Sequence, residues 1–183
     1  MSGDYTKKVR GEMRLSERIA SYIPGYRGYK EKEIRRETDR LVRMNVAGAL
    51  RGAKDSIRRS TSNPSVLQKL TDEDRWRLDT VLSKLDRITQ RIDRAIAGYA
   101  GMFDAIKVKE DKLDAIIASD LKLIETGQDI RASADKTNKM DIGGDEWKSS
   151  MEALSSKLDD FDTLMDERIN TIKGISEQIP PAP

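Results

Sequence analysis

The sequence predicts an all-α fold, an up-and-down bundle of four long helices plus a short N-terminal helix. Apolar residues recur every three or four positions along most of the chain, which is the helical period. No segment shows the sustained alternation that marks a β-strand. The 183 residues are 37% apolar and 36% charged, a balance that suits long helices with narrow apolar stripes. This length predicts a single domain over residues 1–178, followed by a flexible tail at 179–183.

The first two helices are predicted on either side of a Pro-Gly pair. The first runs from about Thr6 to Tyr22, and Pro24 and Gly25 end it, because proline disfavours helix in the residue before it. The second runs from about Tyr29 to Arg59, with acidic residues early and basic residues late, as the helix dipole favours. Its predicted apolar side consists of Ile34, Leu41, Val42, Val46, Ala49, Leu50, Ala53 and Ile57.

The third helix has two predicted starts. Asn63 before Pro64 is typical of an N-cap with proline at the first helical position. Thr71 and Asp74 have the spacing of a capping box, so the helix either begins at Pro64 or restarts at Thr71. Its predicted apolar residues are Trp76, Leu78, Val81, Leu82, Leu85, Ile88, Ile92 and Ile96.

The fourth and fifth helices are predicted over Met102 to about Ala134 and about Glu146 to Ser176. The fifth has the most regular pattern, in which apolar residues follow a 4-3-4-3-4 spacing from Trp147. Arg168 falls on an expected apolar position of that series, and Ile169 takes its place if the stripe drifts as on a straight helix. The second to fifth helices are each ~45 Å long at 1.5 Å per residue.

Two glycines in the second helix have a spacing that brings helices close together. Gly48 and Gly52 are four residues apart and lie beside alanines. Small residues at this spacing allow a close helix crossing or a hinge.

The composition excludes several kinds of chemistry. The chain has no cysteine and no histidine, which excludes disulfides, thiolate nucleophiles, Ser-His-Asp catalysis and zinc sites built on these residues. We therefore expect no cofactor, no metal site and no enzymatic activity. The N-terminus shows no signal peptide and no run of about 18 apolar residues occurs, so a cytoplasmic protein without a transmembrane segment is expected.

Charge is distributed unevenly along the chain. Residues 1–63 carry 16 basic and 8 acidic residues, whereas residues 144–183 carry 4 and 9. A basic front of this kind suggests electrostatic binding to an anionic membrane surface or a nucleic acid. No nucleic-acid recognition motif accompanies it, so nucleic acid is the less favoured of the two surfaces.

The stretch from Tyr22 to Arg43 holds the candidate binding residues. Three of the five tyrosines surround the Pro-Gly pair, and basic residues follow them. They form either a contact surface for a partner or an aromatic plug at the end of the bundle. The charged residues after the corner, including Asp39 and Arg43, are expected to form a solvated helix face. The predicted partner-binding residues are Tyr26, Arg27, Tyr29, Lys30, Arg35 and Arg36.

The segment IPGYRGYKEKEIRRETDRLVR resembles one in small, uncharacterised prokaryotic helical proteins, in which a PGYxGYK-type corner leads into a Lys/Arg/Glu-rich helix. The resemblance covers about twenty of 183 residues and implies no activity. Together these features predict a non-enzymatic helical scaffold or adaptor that binds a partner protein or its own copies. Electrostatic binding through residues 1–63 is the alternative.

Overall fold

The computed structural model describes residues 15–27, 32–99 and 110–176, with the side chains of 37–94 and 114–171 in the last two ranges. Within them the chain forms helices and turns and no β-strand. Helix α1 covers residues 15–22 of this part, and five helices follow: α2 Lys32–Thr61, α3 Pro64–Leu67, α4 Asp72–Tyr99, α5 Glu110–Thr137 and α6 Asp145–Ser176. The predicted all-α bundle of four long helices and a short N-terminal one is confirmed.

One of the two alternatives predicted for the third helix is confirmed, whereas the fourth helix ends later than predicted. The third helix restarts, because α3 is a single turn and α4 begins at Asp72. The fourth continues past Ala134 to Thr137. The predicted starts at Thr6, Tyr29 and Met102, and the tail at 179–183, lie outside the described residues.

Both predicted caps of the third helix are present. The side-chain Oδ1 of Asn63 accepts from the backbone N of Ser65 at 3.0 Å, with Pro64 at the first helical position. The Oγ1 of Thr71 accepts from the backbone N of Asp74 at 3.2 Å, and the backbone N of Thr71 donates to Oδ2 of Asp74 at 3.2 Å. Each cap satisfies amides at a helix start, which explains why the helix begins twice.

The described residues group into two compact units. The N-terminal unit contains residues 15–27, 32–45, 95–99, 110–124 and 164–176. The central unit contains 46–94 and 125–163. A single domain over 1–178 stays a prediction.

In the central unit, α2 and α4 are antiparallel. Arg51 pairs with Asp93 at 2.5 Å, and Lys54 pairs with Asp86. The residue number on α4 falls as the number on α2 rises, which only opposite directions allow.

Helices α4 and α6 are parallel in the same unit. Arg77 lies 3.2 Å from Glu152, and Lys84 lies 2.6 Å from Asp159, so both pairs are separated by 75 residues. A constant separation over seven residues requires the same direction.

Helices α5 and α6 are antiparallel, which completes an up-down-up-down order in the central unit. The hydroxyls of Thr137 and Ser150 are 2.6 Å apart, and Lys157 donates to Asp129 at 2.5 Å. The regular stripe of α6 fills the core here, as predicted. Its members are 0–1% exposed: Trp147, Met151, Leu154, Leu158 and Phe161.

Among the described residues, no helix combines the length and the apolar character needed to cross a membrane.

Candidate functional site

The predicted corner lies in the N-terminal unit, between α1 and α2. Gly25 has a φ of +88°, a left-handed conformation that glycine adopts most readily. The backbone N of Tyr26 donates to the carbonyl of Ile23 at 3.2 Å, closing the turn. The Nδ2 of Asn45 donates to the carbonyl of Tyr22 at 3.2 Å, which ties the end of α1 to α2.

The six predicted partner-binding residues have different surroundings. Tyr26 is buried, at 8% exposure, whereas Arg27 is exposed. Tyr29 and Lys30 lie outside the described residues, as do the side chains of Arg35 and Arg36. The ring of Tyr26 therefore packs in the interior, as in the alternative of an aromatic plug, and binding by this set stays a prediction.

A cluster of four charged side chains lies inside the N-terminal unit. Arg43 contacts Oδ2 of Asp39 through Nε at 2.8 Å and Nη2 at 2.6 Å. Arg168 donates from Nη2 to Oδ1 of Asp39 at 2.8 Å and from Nε to Oδ1 of Asp120 at 2.7 Å. We call these four residues the buried ion cluster; it joins α2, α5 and α6.

The burial of this cluster corrects the predicted solvated face of α2. The side chains of Asp39 and Arg43 are 3% and 10% exposed, and those of Asp120 and Arg168 are 0% and 5% exposed. Asp39 and Arg43 are thus core residues. The two carboxylates and two guanidiniums of the cluster have no net charge. This balance is needed in the interior, because an unpaired buried ion is strongly destabilising.

Two polar atoms in this region have no hydrogen-bond partner among the described residues. They are the hydroxyl of Tyr26 and Nη1 of Arg43. Burial raises the pKa of the Tyr26 phenol well above its usual value, the negative charge of Asp120 raises it further, and Arg168 opposes both. The phenol is accordingly neutral at physiological pH.

The buried ion cluster has the features of a packing element. Each carboxylate already accepts hydrogen bonds from an arginine, and the four side chains are at most 10% exposed. In the described part of the chain, no group of three or more carboxylates is arranged to hold a metal ion.

The most exposed large apolar side chain in the described ranges belongs to the central unit. Trp76 on α4 is 67% exposed, although it was predicted on the apolar side of its helix. The buried stripe of α4 runs through Leu78 and Val81 with spacings of three and four, and the preceding position of that series is Asp74. Trp76 lies two residues before Leu78, off the stripe, and Asp74 is buried in its place at 1% exposure.

Trp76 begins a continuous surface along α4, which we call the α4 face. It lines a shallow groove of about 390 Å³. The groove is formed by Trp76, Asp79, Thr80, Ser83, Lys84 and Arg87. The spacing of these residues is 3-1-3-1-3, which places them on one side of a helix.

The two basic residues of the α4 face are held by acidic residues of α6. Lys84 donates to Asp159 at 2.6 Å and to the hydroxyl of Ser155 at 2.8 Å. Arg87 lies 3.1 Å from Asp162 and remains 60% exposed. Asp79, the acidic residue of the face, forms no ion pair within the described ranges.

The sequence contained signals for the burial of Asp120 and the exposure of Trp76. Asp120 lies four residues after Ile116 and four before Ile124, both buried, so its position in the stripe was readable. The spacing of the sequence also indicates that Trp76 lies outside the buried series that runs through Leu78. The pairing of distant charges was not, because spacing along one helix does not identify the neighbouring helix.

Comparisons of this chain with models of protein families, with curated proteins and with solved structures found no match.

Proposed function

We propose that the protein is a non-enzymatic helical scaffold or adaptor that acts through protein–protein interaction. The observation that carries the proposal is the 67% exposure of Trp76 on the α4 face. Tryptophan is among the residues most enriched at the energetic centres of protein interfaces, because its large ring is buried when a partner binds. An indole left this exposed contributes little to the fold.

The surroundings of Trp76 support contact with a protein. Small residues, Thr80 and Ser83, follow it along the α4 face and leave room for a partner side chain. Charged residues also line the groove, with Asp79 one turn after Trp76 and Arg87 at the far end. An apolar anchor with a polar rim is the usual composition of an interface.

The corner of the N-terminal unit stays part of this proposal. Of the predicted partner-binding residues whose side chains the structure describes, Arg27 is the exposed one. Because Tyr26 is buried, truncating it would lower stability as well as any binding. Arg27→Ala is therefore the more specific probe of this corner.

The electrostatic alternative has less support from the described residues of α2. Arg43 is buried against Asp39, Arg51 pairs with Asp93, and Lys54 pairs with Asp86. Cations engaged within the fold are less available to an external anion, whereas Arg40, Arg58 and Arg59 of α2 remain exposed.

The experiment is a capture from native cell extract with the full chain as bait, at low and high salt. We expect a protein partner that is retained at high salt and lost with Trp76→Ala. Met44→Ala is the matched control, because Met44 is also an exposed apolar side chain, at 57%, and lies in the other unit. A partner released by salt and indifferent to Trp76→Ala would favour the electrostatic alternative, because exposed charge pairs are screened by salt.

A further inference from the structure

We propose that the α4 face binds the same face of a second copy of this chain, in an antiparallel arrangement with two-fold symmetry. This inference rests on the proposed function and names the partner for that surface.

The six residues of the groove are chemically complementary to their own reverse order. Consider two α4 helices that pair in opposite directions, with the centre of the contact between Val81 and Leu82. Each residue of one copy then faces the residue of the other copy that lies equally far from the centre on its other side. Trp76 then faces Arg87 of the second copy, and Asp79 faces its Lys84. These contacts are a cation over an aromatic ring and an ion pair, and the symmetry forms each of them twice.

The centre of this arrangement suits a close approach of two helices. Thr80 of one copy faces Ser83 of the other, and both side chains are small. Helices pack at 8–10 Å between axes when the side chains at the crossing are compact.

The charged groups are available for these contacts. Asp79 forms no ion pair in the described part of the chain. Arg87 is 60% exposed and pairs with Asp162. Asp162 also accepts a hydrogen bond from Arg91 at 2.5 Å. Asp162 therefore keeps a cation if Arg87 turns toward Trp76 of the second copy. Lys84 has three donors, which contact Asp159 at 2.6 Å, the Ser155 hydroxyl at 2.8 Å and the Ser155 carbonyl at 3.5 Å. A second carboxylate would replace the carbonyl, the longest of the three contacts, while Asp159 is kept.

The contact between the two α4 faces is small, so we expect a low affinity. One helical face on another lies at the low end of specific interface sizes, where complexes dissociate on dilution. We therefore expect a reversible dimer rather than an obligate one.

The test is sedimentation equilibrium of the purified full chain at concentrations up to about 0.5 mM, a range that detects affinities in the micromolar to millimolar region. We expect a mass that rises from one chain of 20.7 kDa toward two. Trp76→Ala should raise the dimer Kd about tenfold or more, as loss of an interface anchor does.

Two charge reversals make the test specific to the antiparallel arrangement. Asp79→Lys and Lys84→Glu each place like charges opposite each other in a homodimer, so each should weaken it. An equal mixture of the two variants should recover association, because both facing pairs in the mixed dimer carry opposite charges. Far-UV circular dichroism of each variant checks folding, since Lys84→Glu also removes the contact with Asp159.

The results separate the proposed dimer of this chain from the more general proposal that the chain binds a protein partner. A dimer that requires Trp76 and recovers in the mixture supports the second copy as partner. A single-chain mass at every concentration overturns the inference, and so does a dimer indifferent to these substitutions. If the chain is monomeric but captures another protein only when Trp76 is present, the inference fails while the proposed function stands.

Discussion

Arg168 and Asp39 form a hydrogen bond of 2.8 Å between Nη2 and Oδ1, although 129 residues separate them in the sequence. The same guanidinium donates to Asp120 at 2.7 Å. One side chain of α6 thus holds carboxylates from α2 and α5 inside the N-terminal unit. The packing of this unit depends on charge pairing as well as on apolar contact.

Replacing Arg168 by alanine should destabilise the protein strongly. The substitution leaves Asp120 without this arginine and Asp39 with Arg43 alone, and both carboxylates stay buried. Removing one member of a buried ion pair lowers the free energy of unfolding by about 3–5 kcal/mol. Chemical denaturation followed by circular dichroism measures this loss.

Lys122 provides the control for that experiment. It lies 3.8 Å from Glu167, with both side chains more than 60% exposed. Surface pairs contribute about 0–1 kcal/mol, so Lys122→Ala should change the free energy of unfolding little. Equal losses in the two variants would contradict the structural importance of the buried ion cluster.

Replacing Tyr26 by phenylalanine should leave stability unchanged or raise it. The hydroxyl is buried and has no hydrogen-bond partner among the described residues, so removing it relieves a desolvation cost. Tyr26→Ala also removes the ring, and loss of a buried aromatic costs about 3–5 kcal/mol. Equilibrium unfolding of both variants checks the difference. A loss of more than about 1 kcal/mol in Tyr26→Phe would mean that the hydroxyl has a partner.

Alkaline pH should distinguish the wild-type chain from Tyr26→Phe. The pKa of Tyr26 is raised in the folded state, chiefly by burial, so the unfolded chain ionises first, near the usual value of 10.0. The stability from this group is fully present below that pH and falls above it. The decline is about 1.4 kcal/mol per pH unit, until the folded-state pKa is reached. Unfolding measured between pH 8 and about 11 should show a steeper decline in the wild type than in Tyr26→Phe. Parallel curves would show that the phenol is not buried in solution.

The two glycines of α2 should respond differently to alanine. A Cβ at Gly48 would meet no atom within 4 Å, so Gly48→Ala should raise the free energy of unfolding by about 1 kcal/mol, the helix-propensity difference. A Cβ at Gly52 would overlap the guanidinium of Arg131, which also binds Asp135 at 3.1 Å. Because Arg131 must be displaced, Gly52→Ala should raise the free energy of unfolding less than Gly48→Ala does, or not at all. Thermal melting of the two variants compares them directly, and an equal rise in Tm would indicate that Arg131 moves without cost.

The helices and their caps were largely predictable, because they depend on local pattern. The stripe from Trp147 to Phe161 is buried as its spacing indicates, and the caps at Asn63 and Thr71 use neighbouring atoms. Arg168 was also recognisable as a charged residue on an apolar position. It is buried at 4% exposure, whereas Ile169 is only half-buried, so the stripe does not drift to Ile169.

The candidate surface was less predictable, for a physical reason. Trp76 was predicted among the apolar residues of its helix, and only its position relative to Leu78 argues otherwise. Asp39 and Arg43 were wrongly predicted as solvated, since acidic and basic residues four apart look the same on a solvated face and in a buried ion cluster.

By itself, the sequence determined that this chain is helical, where most of its helices end, and that it lacks the side chains for thiol and imidazole chemistry. Tertiary structure alone decided which distant charges pair in the interior and which helices those pairs join. Helical period and capping act within a few residues, whereas the burial of a side chain depends on which distant helix packs against it.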